Sequence, residues 1–278
     1  MFPIVFFRSF FLNWVVALVL AVAVSTQAQS TEVFRLGVAP HTSARVILEM
    51  YQPLRLYLES ALGQSVDVVT APDFTEFARR MLHQDYDLAI TTGHQARLAQ
   101  TDAHYKPLLT YSADFRAVGL VASNSTIQKA SDLKGQPVLG LSPTSLVTLW
   151  GQHWLISNGL NQTLRYVSAS DSVAHLVLEG QAALGFTSMA NYQSLPRPVQ
   201  SQLRILTISA PLVGRVYVLN QRHAPRFQAI ETALSDFAKT EPAQIYFAKY
   251  KLDGYRHLRQ GELEAMEPFA AEIRQTLK

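Results

Sequence analysis

The stretch Val33–Val69, VFRLGVAPHTSARVILEMYQPLRLYLESALGQSVDVV, decides how the chain is read. VFRLGV (Val33–Val38) is a short apolar run of the kind a buried strand shows. Ile47, Met50, Tyr51, Leu54, Leu58 and Leu62 then recur at helical spacing, which predicts a helix over Arg45–Leu62. Pro53 lies inside it and lacks a backbone donor, so a kink or a late start is expected. Gly63 ends it. SVDVV (Ser65–Val69) is the next strand. Working outward, Asp73–His83 is a short helix with Asp73 as its cap, and YDLAI (Tyr86–Ile90) is a third strand. Strand, helix, strand, helix, strand predicts a parallel sheet covered by helices.

A second unit starts near Tyr111. Phe115–Ala122 reads as a strand leaving the first unit, Ser131–Gly135 as a turn or short helix, and Pro137–Leu141 as a strand. Ser142-Pro143-Thr144-Ser145 opens a helix that runs to about Ser157. Leu164–Val167 and Ala182–Phe186 read as strands on either side of a helix at Asp171–Glu179. Leu203–Ile208 leads back, and Gly214–Leu219 is a further strand. Helices are expected near Arg226–Lys239, Pro242–Tyr250 and Leu263–Leu277. Trp150 and Trp154, four residues apart in one predicted helix, read as core.

Composition removes several classes of function. The chain has 278 residues, 24 Lys plus Arg against 21 Asp plus Glu, and no cysteine. Disulfides, Cys-ligated zinc, iron–sulfur centres and an N-terminal lipid-anchored Cys are excluded. The net charge of +3 gives no reason to expect a nucleic acid partner. The charges are unevenly spread: Ser9–Thr31 carries none, after a single Arg8. A weakly basic start, the apolar run Phe11–Val24 and small residues before Ala28 have the build of a secretory signal, residues 1–28. Ile4–Val24 is also nearly long enough for a retained anchor.

The strongest local signal is Ser142-Pro143-Thr144-Ser145. A helix N-terminus presents unpaired N–H groups and positive charge, which attract an oxyanion, and the hydroxyls of Ser142, Thr144 and Ser145 add donors. Ser142 reads equally as an ordinary cap. Polar turns recur after other strands: Ala71-Pro72-Asp73-Phe74-Thr75, Thr91-Thr92-Gly93-His94, Ser168-Ala169-Ser170-Asp171 and Thr187-Ser188. Ligands of open α/β sheets bind beyond such strand ends. His41 and His94 follow strand ends and are candidates for hydrogen bonding to a ligand. None of the eight histidines forms a compact metal motif, so no metal is expected. No nucleophile elbow, dinucleotide loop or nucleotide-triphosphate loop appears, and catalysis has no motif to support it. Arg116 and Arg215, beside the expected connections between the units, are the cations best placed to meet a bound anion.

Taken in order, several segments resemble the periplasmic substrate-binding proteins for phosphate, phosphite and phosphonate uptake. They are Tyr51-Gln52-Pro53-Leu54 with Tyr57-Leu58, Ala71-Pro72-Asp73-Phe74, Asp87-Leu88-Ala89, Asp132-Leu133-Lys134-Gly135, Pro143-Thr144-Ser145, Gly180-Gln181, Ser209–Gly214 and Asp253-Gly254-Tyr255. The resemblance implies an α/β type II periplasmic-binding fold of two nested lobes with a two-crossing hinge. Lobe 1 would be residues 29–111 plus 208–278, and lobe 2 residues 112–207. It also implies a ligand held between the lobes by Thr144, Ser145 and Ser142 on one side and Thr91, Thr92, His94, Phe74 and His41 on the other. Several family positions differ here. The first Ser of the family's Ser-Thr-Ser turn is Pro143, two tyrosines are Phe74 and Thr91, and a histidine is Ser170. The acidic groups that engage an amine are replaced by Ala190 and Arg215. An aminoalkylphosphonate is therefore not the expected ligand, and a different oxyanion or small organic anion is.

The resemblance implies a monomeric periplasmic solute-binding protein, not an enzyme and without a cofactor, that hands a small anion to an ABC transporter permease. A ligand-sensing module for a membrane sensor kinase and a periplasmic enzyme on the same fold are the alternatives.

Overall fold

A computed structural model describes residues 32–167 and 170–277, without the side chains of Ser170 and Asp171. The expected export signal, residues 1–28, lies outside the described residues. In the first sheet, β1 (Phe34–Val38) pairs in parallel with β2 (Val66–Val69) and β3 (Leu88–Thr92). Between β1 and β2 runs α1 (Ala44–Leu62), capped by the Ser43 hydroxyl and closed by Gly63 in the left-handed conformation at φ 64°. Gly63 suits that position because it has no Cβ to clash there. The helix continues through Pro53, so the late-start alternative does not hold. As expected, Asp73 caps α2 (Phe74–Leu82), its carboxylate accepting from the Glu76 N–H at 2.8 Å.

Two features depart from the sequence reading. β3 reaches Thr92 rather than stopping at Ile90, and α3 (Gly93–Asp102) follows at once where no helix was expected. The signal was hidden because α3 buries polar His94 and Gln95 along with Ala96, Leu98 and Ala99. The sheet is also mixed rather than parallel. β10 (Arg215–Leu219) runs antiparallel between β3 and β4 (Lys106–Tyr111), and β11 (Tyr255–Arg256) pairs antiparallel at the edge of β4. The strand order is β11-β4-β10-β3-β1-β2. β10 enters the sheet at the end where β3 and β4 finish, which obliges it to run the other way.

The second sheet is made entirely by residues 117–208. It comprises β5 (Ala117–Ala122), β6 (Val138–Gly140), β7 (Arg165–Tyr166), β8 (Leu184–Ser188) and β9 (Leu203–Ile208), in the order β7-β6-β8-β5-β9. Its main helices are α4 (Leu146–Ser157) and α5 (Ser170–Leu178), with the short α6 (Met189–Ser194) and α7 (Arg197–Gln200) after β8. The chain then returns to the first sheet, where α8 (Phe227–Phe237) and α9 (Glu241–Tyr250) cover one face and α10 (Glu267–Thr276) the other. Each sheet therefore carries apolar cores on both faces, as a type II periplasmic-binding fold requires. Among the described residues no helix is long and apolar enough to cross a membrane.

Two connections join the sheets, residues 112–116 and 209–214, and they bond to each other. The Leu212 N–H donates to the Phe115 carbonyl at 2.9 Å, and the Ala117 N–H to the Ser209 hydroxyl at 3.0 Å.

Helix α4 begins at Leu146 with Ser145 as its cap, three residues later than the sequence suggested. Ser142, Pro143 and Thr144 precede it, so Ser142 is not the cap. Trp150 and Trp154 pack edge-on against Phe186, with ring centroids 5.8 and 6.1 Å away. Gly151 lies between them, and a Cβ there would sit 2.4 Å from the Phe186 ring. Alanine normally stabilises a helix interior relative to glycine. Here we expect Gly151→Ala to destabilise by about 1–3 kcal/mol through overpacking, read as a lower urea midpoint. A variant as stable as the parent would show that α4 does not need this close approach.

Candidate functional site

A cleft of about 550 Å³ opens where the strand ends of the two sheets face each other. From the first sheet it is lined by His41, Thr42 and Ser43 after β1 and by Ala71–Phe74 after β2. From the second come Leu141 and Ser142 after β6, and Asn191 and Ser194 on α6. The N-termini of α1 and α2 border it and bring the positive ends of two helix dipoles to the same space.

Within this setting the candidate residues divide. Ser142 Oγ and Thr92 Oγ1 are buried without a hydrogen-bond partner. Thr92 is the cap residue of α3, yet its hydroxyl does not bond that helix. A buried hydroxyl left without a partner is unfavourable and marks a place for an incoming group. His41 Nδ1 lies 2.8 Å from the Ala39 carbonyl. A carbonyl only accepts, so Nδ1 carries the proton and the neutral ring turns a bare Nε2 lone pair outward. That Nε2 is buried and unpartnered. Burial first, and the charge of Arg215 second, hold the His41 pKa well below the usual histidine value.

Arg215 opens β10 directly opposite Thr92. It is not a lining residue of the cleft but stands beside His41 and Tyr51. Its Nη1 lies 3.5 Å from Tyr51 Oη, and its guanidinium carbon 5.9 Å from the centre of the Tyr111 ring. No carboxylate among the described residues pairs with it. Behind it the phenols of Tyr111, Tyr217, Tyr246 and Tyr255 are linked by hydrogen bonds, with Tyr111–Tyr217 at 2.8 Å and Tyr217–Tyr255 at 2.7 Å. The sequence carried no signal for this cluster, because its members come from four separate segments.

Other candidates are engaged within the protein, although His94 keeps its Nδ1 buried and unpartnered. Thr144 Oγ1 meets Thr75 Oγ1 at 3.0 Å, joining the loop after β6 to α2, and the Thr144 carbonyl accepts from His94 Nε2 at 3.0 Å. Ser145 Oγ donates to Thr148 Oγ1 at 2.7 Å as part of its cap. Both residues are buried. Thr91 donates to Gln95, whose amide donates to the Phe74 carbonyl, so Thr91 braces the start of α2. The Phe74 ring supplies apolar lining. Arg116 donates to the Ser209 carbonyl at 3.1 Å and pairs with Asp114 at 3.3 Å, tying the two connections together rather than facing the cleft. The Ser170 side chain lies outside the described residues. Asn191 and Ser194, which were not among the candidates, line the cleft because α6 follows Thr187-Ser188 at the polar end of β8, where a helix was expected. Among the described residues no cluster of histidines and carboxylates is placed to hold a metal.

A family model described as the periplasmic substrate-binding protein of phosphonate ABC transporters matches residues 36–263. The protein PhnD1 of Prochlorococcus marinus, solved with methylphosphonate, superposes with a TM-score of 0.78 at 14% identity, covering 88% of this chain and all of that one. XAC2383 of Xanthomonas citri, solved with ATP, gives 0.76 at 19% identity over 90% of this chain and 100% of its own. A binding-protein component of a phosphonate ABC transporter from Pseudomonas aeruginosa gives 0.72 at 15% identity and 90% of both chains. No curated protein matches the chain.

His94 is fully buried, and its burial pushes the ring down to a pKa of about 4, only partly opposed by the bond to Thr144. In the unfolded chain it titrates near 6.5. The folded form therefore binds fewer protons between those values, and stability present above pH 6.5 is lost as pH falls toward 4. The His94 share should reach roughly 3 kcal/mol. Urea unfolding of the parent and His94→Gln across that range should show a steeper acid loss in the parent. Equal pH slopes would contradict the assignment.

Proposed function

Because the chain belongs to the family of periplasmic substrate-binding proteins of phosphonate ABC transporters, we propose that its cleft closes over a small oxyanion lacking an amine. It is a periplasmic solute-binding component that binds its solute without transforming it. Its proposed partner is the transporter's permease, the partner this family supplies in place of a sensor kinase. The observation that carries the ligand reading is Arg215, a partly buried cation with no acidic partner among the described residues, which stands opposite Thr92 with its unpartnered hydroxyl and beside the cleft residue His41. A buried charge without a counter-charge is costly, and an anionic ligand would supply one. Arg215 provides the charge, Ser142 and Thr92 donate, His41 contacts the head group, and Phe74 borders an apolar substituent. Methylphosphonate, the ligand of the Prochlorococcus marinus relative, is the natural first probe.

The same arrangement argues against an aminoalkylphosphonate. Asp73 is the one carboxylate lining the cleft among the described residues, and one of its oxygens is held by the Glu76 N–H as the cap of α2. We assign lobe 1 to residues 32–111 plus 209–277 and lobe 2 to residues 112–208, one residue past the boundary expected from the sequence because Ile208 pairs with Val118 in the second sheet. Closure would rotate these lobes about the two bonded connections, with ligand favouring the closed form. Thr144 and Ser145 would hold the shape of the wall more than they touch the anion.

Titration calorimetry with methylphosphonate tests this. We expect Arg215→Met to weaken binding by about 30- to 100-fold, the worth of a charge-assisted hydrogen bond, and Ser142→Ala by about fivefold. The double change Thr144→Ala with Ser145→Ala should lower stability by about 1–2 kcal/mol with a smaller loss of affinity than Arg215→Met. Unchanged affinity in a folded Arg215→Met protein would reject the assignment. Micromolar or tighter binding of 2-aminoethylphosphonate would reject the exclusion of amines.

A further inference from the structure

We infer that His94 and Thr75 latch the two lobes together through Thr144, so that the protein rests closed before a ligand arrives and admits solute by transient opening. The inference rests on the lobe assignment proposed above and on no particular ligand. From lobe 1, two side chains converge on one residue of lobe 2. His94, at the start of α3, donates from Nε2 to the Thr144 carbonyl at 3.0 Å. Thr75, in the first turn of α2, meets the Thr144 hydroxyl at 3.0 Å. His94 and Thr144 are both buried, which shields these bonds from competing water.

Neighbouring contacts hold the latch in place. The Gly93 N–H donates to the Val213 carbonyl at 3.3 Å, and a Cβ on Gly93 would sit 2.5 Å from that of Val213. The start of α3 is therefore pressed against the second connection and carries His94 at a fixed position beside it. On the other side, Leu146 and Leu149 from the first turn of α4 are buried in the apolar cluster that holds Phe74, Ala96 and Val213. Parting the lobes would break two hydrogen bonds and wet those two leucines. Each of these contacts joins protein to protein, so closure does not wait for a ligand to supply them. Ligand adds to a preference the chain already has. A positioning residue of this kind acts on affinity through the fraction of molecules that are closed, without touching the solute.

The test uses the absence of cysteine in the chain, which makes two introduced cysteines unique labelling sites. Arg45→Cys on α1 and Gln193→Cys on α6 are exposed positions on helices that border the cleft from opposite lobes. Electron paramagnetic resonance of the spin-labelled full chain, free of ligand, should give one distance matching the present structure, with less than about a tenth of molecules open. Saturating methylphosphonate should leave that distance unchanged. His94→Leu combined with Thr75→Val should raise the open-to-closed ratio of the free protein about tenfold or more. His94→Gln, whose amide can still donate to the Thr144 carbonyl, should stay closed. A free parent that is mostly open and shortens its distance with methylphosphonate would overturn the latch while leaving the anion-binding reading intact. So would a folded double variant as closed as the parent. If His94→Leu does not fold, Thr75→Val alone decides, and an unchanged open fraction would overturn the inference. Failure of methylphosphonate to bind would count against the ligand reading alone, because the free-state distances do not depend on it.

Discussion

The return of the chain as β10, antiparallel between β3 and β4, is the constraint on which the rest depends. It closes the first sheet only after the second has been completed, so the sheets must be joined by two connections. Those connections have to leave and re-enter at the strand ends that border the cleft. The same register places Arg215 opposite Thr92, at the strand end where the chain re-enters the first sheet. The proposed anion chemistry and the proposed closure therefore both rest on a single pairing. Disturbing β10 would disturb both together.

The tyrosines around Arg215 explain how a cation is kept there. Tyr51 and Tyr111 offer a phenolic oxygen and a ring face, which soften the loss of water without neutralising the charge. A carboxylate in their place would form an ion pair and remove the attraction for an anion. Hydrogen bonds from Tyr111 to Tyr217 and from Tyr217 to Tyr255 account for those buried hydroxyls, Tyr51 accepts from Arg215 itself, and Arg215 is left without a counter-charge.

Much of the fold was legible because the apolar periodicities of β1, α1, β2 and α2 are strong and their caps, Asp73 and Gly63, are unambiguous. The antiparallel direction of β10 was not, since a buried strand of either direction reads alike. Helix α3 escaped because His94 and Gln95 are buried polar residues whose partners, Thr144 and Thr91, are remote or on the preceding strand. The site was legible as a set of strand ends, and its division was not. Nothing in the order Ser142-Pro143-Thr144-Ser145 says that the first hydroxyl is left unpartnered while the last two are engaged. That depends on Thr75 and Thr148, the first 69 residues away along the chain.

The C-terminal helix α10 adds a further tie between the sheets. His153 of α4 stacks on Phe269 at a centroid distance of 4.8 Å and bonds the Glu272 carboxylate. Any opening of the cleft must carry this stacked pair along as a pivot or peel it apart. In the proposed opening, the two strand connections and this aromatic joint would share the work of releasing solute. The last turns of the chain are thus a tie between the two sheets as well as a cover for the first.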